Sequence, residues 1–163
     1  MIIVIMGVCG SGKSTVGERL ARELKINFEE GDDFHPEANV NKMSKGEPLT
    51  EQEREPWLKS IRRRMDHSLE KGRGLVITCS ALSQKSRKIL GTERDDVLLV
   101  YLHAPQSVLE KRMAERKNHF MPPELLRSQL EILEKPYPEE ALHVRVDKPL
   151  PDIITYILRT IRS

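Results

Sequence analysis

Cysteine, aromatic residues and net charge are all scarce in this chain of 163 residues, and each scarcity excludes something. Two cysteines, Cys9 and Cys79, provide no disulfide framework, so a reducing, cytoplasmic compartment is the expectation. A formal net charge of +2 gives no electrostatic case for nucleic acid or a membrane surface as the main partner. No apolar run approaches the length that spans a bilayer. The apolar opening over residues 1–6 lacks the basic segment and small-residue cleavage site of a secretory leader, and Val8 before Cys9 spoils a lipoprotein-type cleavage box. Aromatics are 4% of residues and charged residues 32%, a balance that suits an α/β domain with charged outer helix faces. Repeats, low-complexity tracts and linkers are absent, and the length fits one domain over 1–163.

Directly behind the apolar opening stands Gly7-Val8-Cys9-Gly10-Ser11-Gly12-Lys13-Ser14. Its spacing is G-x-x-x-x-G-K-[ST], a strand feeding a glycine-rich loop that opens a helix. Successive backbone N–H groups in such a loop form an anion nest, and the helix dipole adds to it. Lys13 then reaches the β- and γ-phosphates of a nucleotide, and Ser14 offers its hydroxyl to Mg²⁺. Thr15 supplies a further hydroxyl near the α-phosphate, and Val16, Leu20 and Leu24 continue at helical spacing. This stretch is a phosphate-binding loop.

Hydrophobic patterning predicts strands over 2–6, 26–30, 75–78, 97–102 and 142–146. Helices are predicted over 13–25, 37–45, 51–71, 84–90, 105–117, 124–134 and 152–161. Five strands alternating with helices imply a parallel sheet covered on both faces. The second strand is expected beside the first, which turns Asp32, just past its carboxyl end, toward the phosphate loop. The excursion from there to the third strand is too long for a plain connection and reads as a helical substrate-binding insertion, about 35–71. Inside it, Thr50-Glu51-Gln52-Glu53 is a capping box, and Trp57, Leu58, Ile61, Met65 and Leu69 point inward.

A phosphoryl transfer needs an acceptor-orienting carboxylate and cations for the charge that develops. Asp32 is the candidate carboxylate. Arg112 and Arg116 stand four apart on one helix face, ahead of a loop over 118–123. Together they outline a lid, about 116–124, whose arginines stabilise transition-state charge. Cys9 reads as a tolerated small residue in the loop and Cys79 as a buried apolar one.

Further motifs carry a family resemblance. Gly31-Asp32-Asp33-Phe34-His35-Pro36, Asn39-Val40-Asn41-Lys42-Met43, Gly46-Glu47-Pro48-Leu49 and Arg54-Glu55-Pro56-Trp57-Leu58 stand in the order and spacing of the gluconate kinase family. Cys79-Ser80-Ala81-Leu82 with Arg87, His119-Phe120-Met121-Pro122 and Leu125-Leu126-Arg127-Ser128-Gln129 continue the match over nearly the whole chain. The resemblance implies a P-loop NTPase fold, a three-layer α/β/α sandwich with a five-stranded parallel sheet. It also implies a homodimeric kinase of the shikimate/gluconate kinase type that phosphorylates D-gluconate to 6-phosphogluconate with ATP and Mg²⁺. Carried over residue by residue, it makes Asp32 the substrate-facing carboxylate, Arg116 the lid arginine, and Arg112 the one flanking adenine. Related kinases have Asp-x-Asp where this chain has Glu30-Gly31-Asp32, so Glu30 acts on Mg²⁺ through water.

Gluconate is a carboxylate with a row of hydroxyls, and His35, Lys42, Arg54, Ser80 and Arg87 supply the matching cations and hydrogen-bonders. His119 joins them on the resemblance. A bidentate guanidinium favours either Arg54 or Arg87 over Lys42 as the main carboxylate anchor. Two other readings stand beside this one. One is another small P-loop kinase acting on shikimate or a nucleoside monophosphate. The other is a nucleotide-dependent switch, against which the lack of an Asn-Lys-x-Asp base-reading signature counts.

Overall fold

The computed structural model describes residues 1–115 and 123–163. Its strands are β1 (Ile2–Met6), β2 (Asn27–Glu30), β3 (Leu75–Thr78), β4 (Val97–His103) and β5 (Leu142–Arg145). The helices are α1 (Lys13–Leu24), α2 (Glu37–Ser44), α3 (Glu51–Glu70), α4 (Gln84–Leu90), α5 (Gln106–Glu115), α6 (Pro123–Ile132) and α7 (Leu150–Arg162). A single 3₁₀ turn, Gly31–Phe34, joins β2 to α2. Residues 116–122 separate α5 from α6, so Arg116, His119 and most of the expected lid over 116–124 lie outside the described residues.

All four strand pairings are parallel, in the order β2-β3-β1-β4-β5. The expectation that β2 lies beside β1 is therefore wrong: β3 stands between them. The reason is legible in the side chains. Leu-Val-Ile-Thr of β3 is wholly buried, as a strand sealed on both faces must be. Asn-Phe-Glu-Glu of β2 is at best half-buried, and two glutamates on a strand belong at a sheet edge.

Alternate residues of β1 serve the two faces. Ile2, Val4 and Met6 pack with Trp57, Ile61 and Met65 of α3. Ile3 and Ile5 pack with Val16 and Leu20 of α1 and Ile153 and Ile157 of α7. The result is the expected three-layer α/β/α sandwich. Helix α3 thus has two duties: its later turns close one face of the sheet, and its first turns overhang the strand ends. The Thr50–Glu53 capping box starts it, with Thr50 Oγ1 accepting from the Glu53 N–H at 3.1 Å and Glu53 Oε1 accepting from the Thr50 N–H at 2.8 Å. Met43 of α2, Leu49 and Leu125 of α6 form a small cluster beyond the strand ends. Among the described residues no helix is long and apolar enough to cross a membrane.

Candidate active site

The carboxyl ends of β1, β2 and β3 deliver three different pieces to one place: the phosphate loop, the Gly31–Phe34 turn and Ser80. Helix α1 starts on Gly12, whose φ of 88° is the left-handed conformation that favours glycine. Among the described residues neither a side-chain cap hydrogen bond nor an acidic residue stands in its first turn, and the positive end of the helix dipole there favours an anion. Lys13 arches back over the loop, its Nζ donating to Gly7 O at 2.9 Å and Val8 O at 3.1 Å. Ser11 is fully buried, and its Oγ has no hydrogen-bond partner among the described residues. The Cys9 N–H donates to Gln129 Oε1 at 2.7 Å. Burial pushes the Cys79 thiol up to about 12, which keeps it protonated and fits the inert role expected of it.

The acidic turn is held from both sides. Gly31 approaches β3 so closely that a Cβ there would stand 1.8 Å from Thr78 O. Its N–H donates to Thr78 Oγ1 at 3.1 Å, that hydroxyl donates onward to Glu30 Oε2 at 2.9 Å, and Trp57 Nε1 donates to Gly31 O at 2.7 Å. Asp32 is carried into the cavity that Lys13, Ser14 and Glu30 also line. A third of its side chain is exposed. It nevertheless lies deep enough that desolvation raises its carboxyl pKa, with Lys13 opposing and Glu30 and Asp33 adding to the rise.

His35 faces the same cavity and is buried as a side chain, with 2% exposure. Its ring stacks on Trp57, and its Nε2 is 3.7 Å from Asp32 Oδ1. Burial lowers its pKa to about 4, so the imidazole is neutral at pH 7. Asn39 Nδ2 donates to Glu53 O at 3.0 Å and lies 3.3 Å from His35 Nδ1. An amide NH₂ only donates, so Nδ1 is the accepting nitrogen and Nε2 carries the proton that faces Asp32.

Of the other residues expected to bind an acceptor, Arg54 and Ser80 line this cavity. Arg54 Nη1 donates to Leu49 O at 2.7 Å, and among the described residues no carboxylate pairs with it. Arg87 does not belong to the site, which corrects that expectation. Its side chain is buried, with Nε on Glu140 Oε1 at 2.6 Å, Nη1 on Ala81 O at 2.7 Å and Nη2 on Glu134 O at 2.8 Å. Three of its five N–H donors are engaged, its side chain is 2% exposed, and it does not line the cavity. Lys42 is likewise spent elsewhere: its Nζ is 2.7 Å from Glu53 Oε1, and that pairing pulls the Glu53 carboxyl down to about 2.

Arg112 occupies a second cleft on the other side of the phosphate loop, lined also by Gly12, Thr15, Val146 and Lys148. Its Nη2 donates to Val146 O, which holds the guanidinium against the segment after β5. Gly12 belongs to both cavities, so the loop forms the wall between an acceptor side and a far side.

Among the described residues no three His, Cys, Asp or Glu side chains converge as a metal cage. What the main cavity offers is the Ser14 hydroxyl and the carboxylates of Glu30 and Asp32. Few hard oxygen donors beside a phosphate cradle suit Mg²⁺, which keeps several waters and shares phosphate oxygens.

The family model described as shikimate kinase matches residues 9–162. A gluconokinase of Gluconobacter oxydans is 43% identical, the match covering 93% of this chain and 85% of the relative. The chain belongs to the gluconokinase family. A solved gluconokinase structure from Sinorhizobium meliloti superposes with a TM-score of 0.85 at 44% identity, covering 98% of this chain and 90% of the other. A sugar kinase structure from Janibacter superposes with a TM-score of 0.93 at 38% identity, covering 99% and 94%. Within this gluconokinase-family frame, three site residues escaped the reading of the sequence. Asn39 sits one helical turn after His35, a spacing that could have flagged it. Thr78 ends a buried strand with a hydroxyl, and Gln129 is a polar residue on the apolar stripe of α6.

Proposed function

We propose that the protein transfers the γ-phosphoryl group of ATP to D-gluconate, giving 6-phospho-D-gluconate and ADP. The observation that carries this reading is that Lys13, Asp32 and Arg54 line one cavity: a phosphate cation, a carboxylate and a guanidinium with no carboxylate partner among the described residues. Arg54 takes the gluconate carboxylate, and Ser80 and the His35 N–H bond its hydroxyls. Asp32 orients the terminal hydroxyl and receives its proton as the new O–P bond forms and the bond to the β–γ bridging oxygen breaks. Burial raises its pKa, which makes it a stronger proton acceptor than an exposed aspartate. Lys13, the loop N–H groups and Arg116 hold the γ-phosphoryl, so catalysis is mostly positioning and electrostatics.

Ser14 and, through water, Glu30 would hold Mg²⁺, which supplies charge neutralisation on the phosphates when bound. The cleft around Thr15, Arg112 and Val146 takes the adenosine end, with Arg112 over the base. On the family ground alone the reading includes a homodimer working in the cytoplasm.

An ADP-release assay with gluconate, shikimate and nucleoside monophosphates in parallel tests the proposal. Turnover with gluconate and none with the others is expected. Turnover of shikimate with none for gluconate would reverse it, and slow hydrolysis indifferent to every acceptor would favour a switch.

A further inference from the structure

Gln129 stands on α6, 120 positions from Cys9, yet its Oε1 accepts the Cys9 N–H at 2.7 Å. It is 9% exposed and lines the cavity that holds Lys13, Asp32, Arg54 and Ser80. A backbone N–H only donates, so this bond fixes the amide: carbonyl to the loop, NH₂ away from it. Among the described residues no protein acceptor takes that NH₂, and it is not one of the unpaired polar atoms sealed from solvent. Two N–H donors are thus held at the cavity wall by a buried anchor.

We propose that Gln129 is an acceptor-binding residue that also braces the phosphate loop. Its Oε1 holds Cys9, and its Nε2 donates to an oxygen of the bound sugar acid. Two features select the acceptor rather than the phosphates as the partner of Nε2. The carbonyl takes one loop donor out of phosphate binding and sets the negative end of the amide dipole against the loop. Leu82, Leu125 and Ile132 of the lining are apolar, so Gln129 joins Ser80 and the neutral His35 among the uncharged hydrogen-bonders that an oxygen-rich ligand meets in the cavity. The proposal rests on the gluconate reading and deepens it.

The test compares wild type, Gln129→Glu and Gln129→Leu in gluconate and ATP saturation curves, with thermal melts alongside. Gln129→Glu keeps an acceptor for the Cys9 N–H and replaces the donors with a carboxylate that repels an anionic substrate. Its KM for gluconate is expected to rise at least about tenfold, the scale of losing one polar hydrogen bond, and several-fold more than its KM for ATP. Gln129→Leu loses both bonds, and both KM values are expected to rise. A gluconate KM within twofold of wild type in Gln129→Glu overturns the proposal, as does a rise confined to ATP. Should Gln129→Leu fail to fold, Gln129→Glu decides alone. If wild type does not use gluconate, the functional reading falls, and the same comparison on whichever acceptor releases ADP decides the role of Gln129.

Discussion

The His35 imidazole lies flat on the Trp57 indole, ring centroids 3.9 Å apart and planes 18° from parallel. The pair joins the acidic turn to the first turns of α3, because the same indole donates its N–H to Gly31 O. Aromatic stacking and a buried hydrogen bond therefore fix the backbone on both sides of Asp32. Asp32 is thus positioned through its backbone, by an indole on one side and the imidazole stacked on it on the other.

Trp57→Phe should keep the stack and lose the bond to Gly31 O. A stability loss of about 1–3 kcal/mol is expected, the cost of leaving a buried carbonyl unpaired. Trp57→Ala removes a side chain that is 2% exposed and should cost about 3–5 kcal/mol. Denaturant titrations check both, and equal stability of Trp57→Phe and wild type would contradict this picture of the turn.

His35 makes stability depend on pH with a definite sign. Its folded-state pKa of about 4 lies below the ordinary 6.5, so between those values the unfolded chain binds a proton that the folded chain does not. Its contribution is complete above pH 6.5 and is lost as pH falls toward 4, about 3 kcal/mol over the full window. Denaturant midpoints measured from pH 7 to 4.5 should fall for wild type and fall less steeply for His35→Phe. Equal slopes would rule out a buried neutral imidazole.

Arg54 and Arg87 should part company under mutation. Arg54→Lys is expected to raise the gluconate KM at least about tenfold with little change in melting, since a lysine cannot grip a carboxylate bidentately. Arg87→Met strands Glu140 and two carbonyls, and should cost about 3–5 kcal/mol of stability while the folded fraction keeps its gluconate KM. Saturation kinetics beside urea titrations separate the two, and the reverse pattern would return the carboxylate to Arg87.

Gly31→Ala should fail for want of space. A methyl group 1.8 Å from Thr78 O forces the turn off β3, breaking the bonds to Thr78 and Trp57 together. A large loss of stability and of activity is expected, and a soluble variant with wild-type turnover would contradict the close packing.

Much of this was legible in the sequence because the signals are local. Strand periodicity, the Thr50–Glu53 box and the Gly7–Ser14 spacing are each read within a few residues, and the elements they predict are in place. The order of the strands depends on which strand tolerates an edge, and the two glutamates of β2 carried that information unread. Arg87 and Lys42 looked like ligands because a cation in sequence does not display its partner. Their partners, Glu140 and Glu53, lie 53 and 11 positions away. Gln129 was hidden for the same reason, its anchor being a backbone N–H at the opposite end of the chain.

Turnover by Asp32→Asn at saturating ATP and gluconate tests the central claim most directly. A fall in kcat of at least about a hundredfold is expected, the scale of losing one transition-state stabiliser, in a protein that melts like wild type. A folded Asp32→Asn enzyme that works at near-normal rate would contradict it.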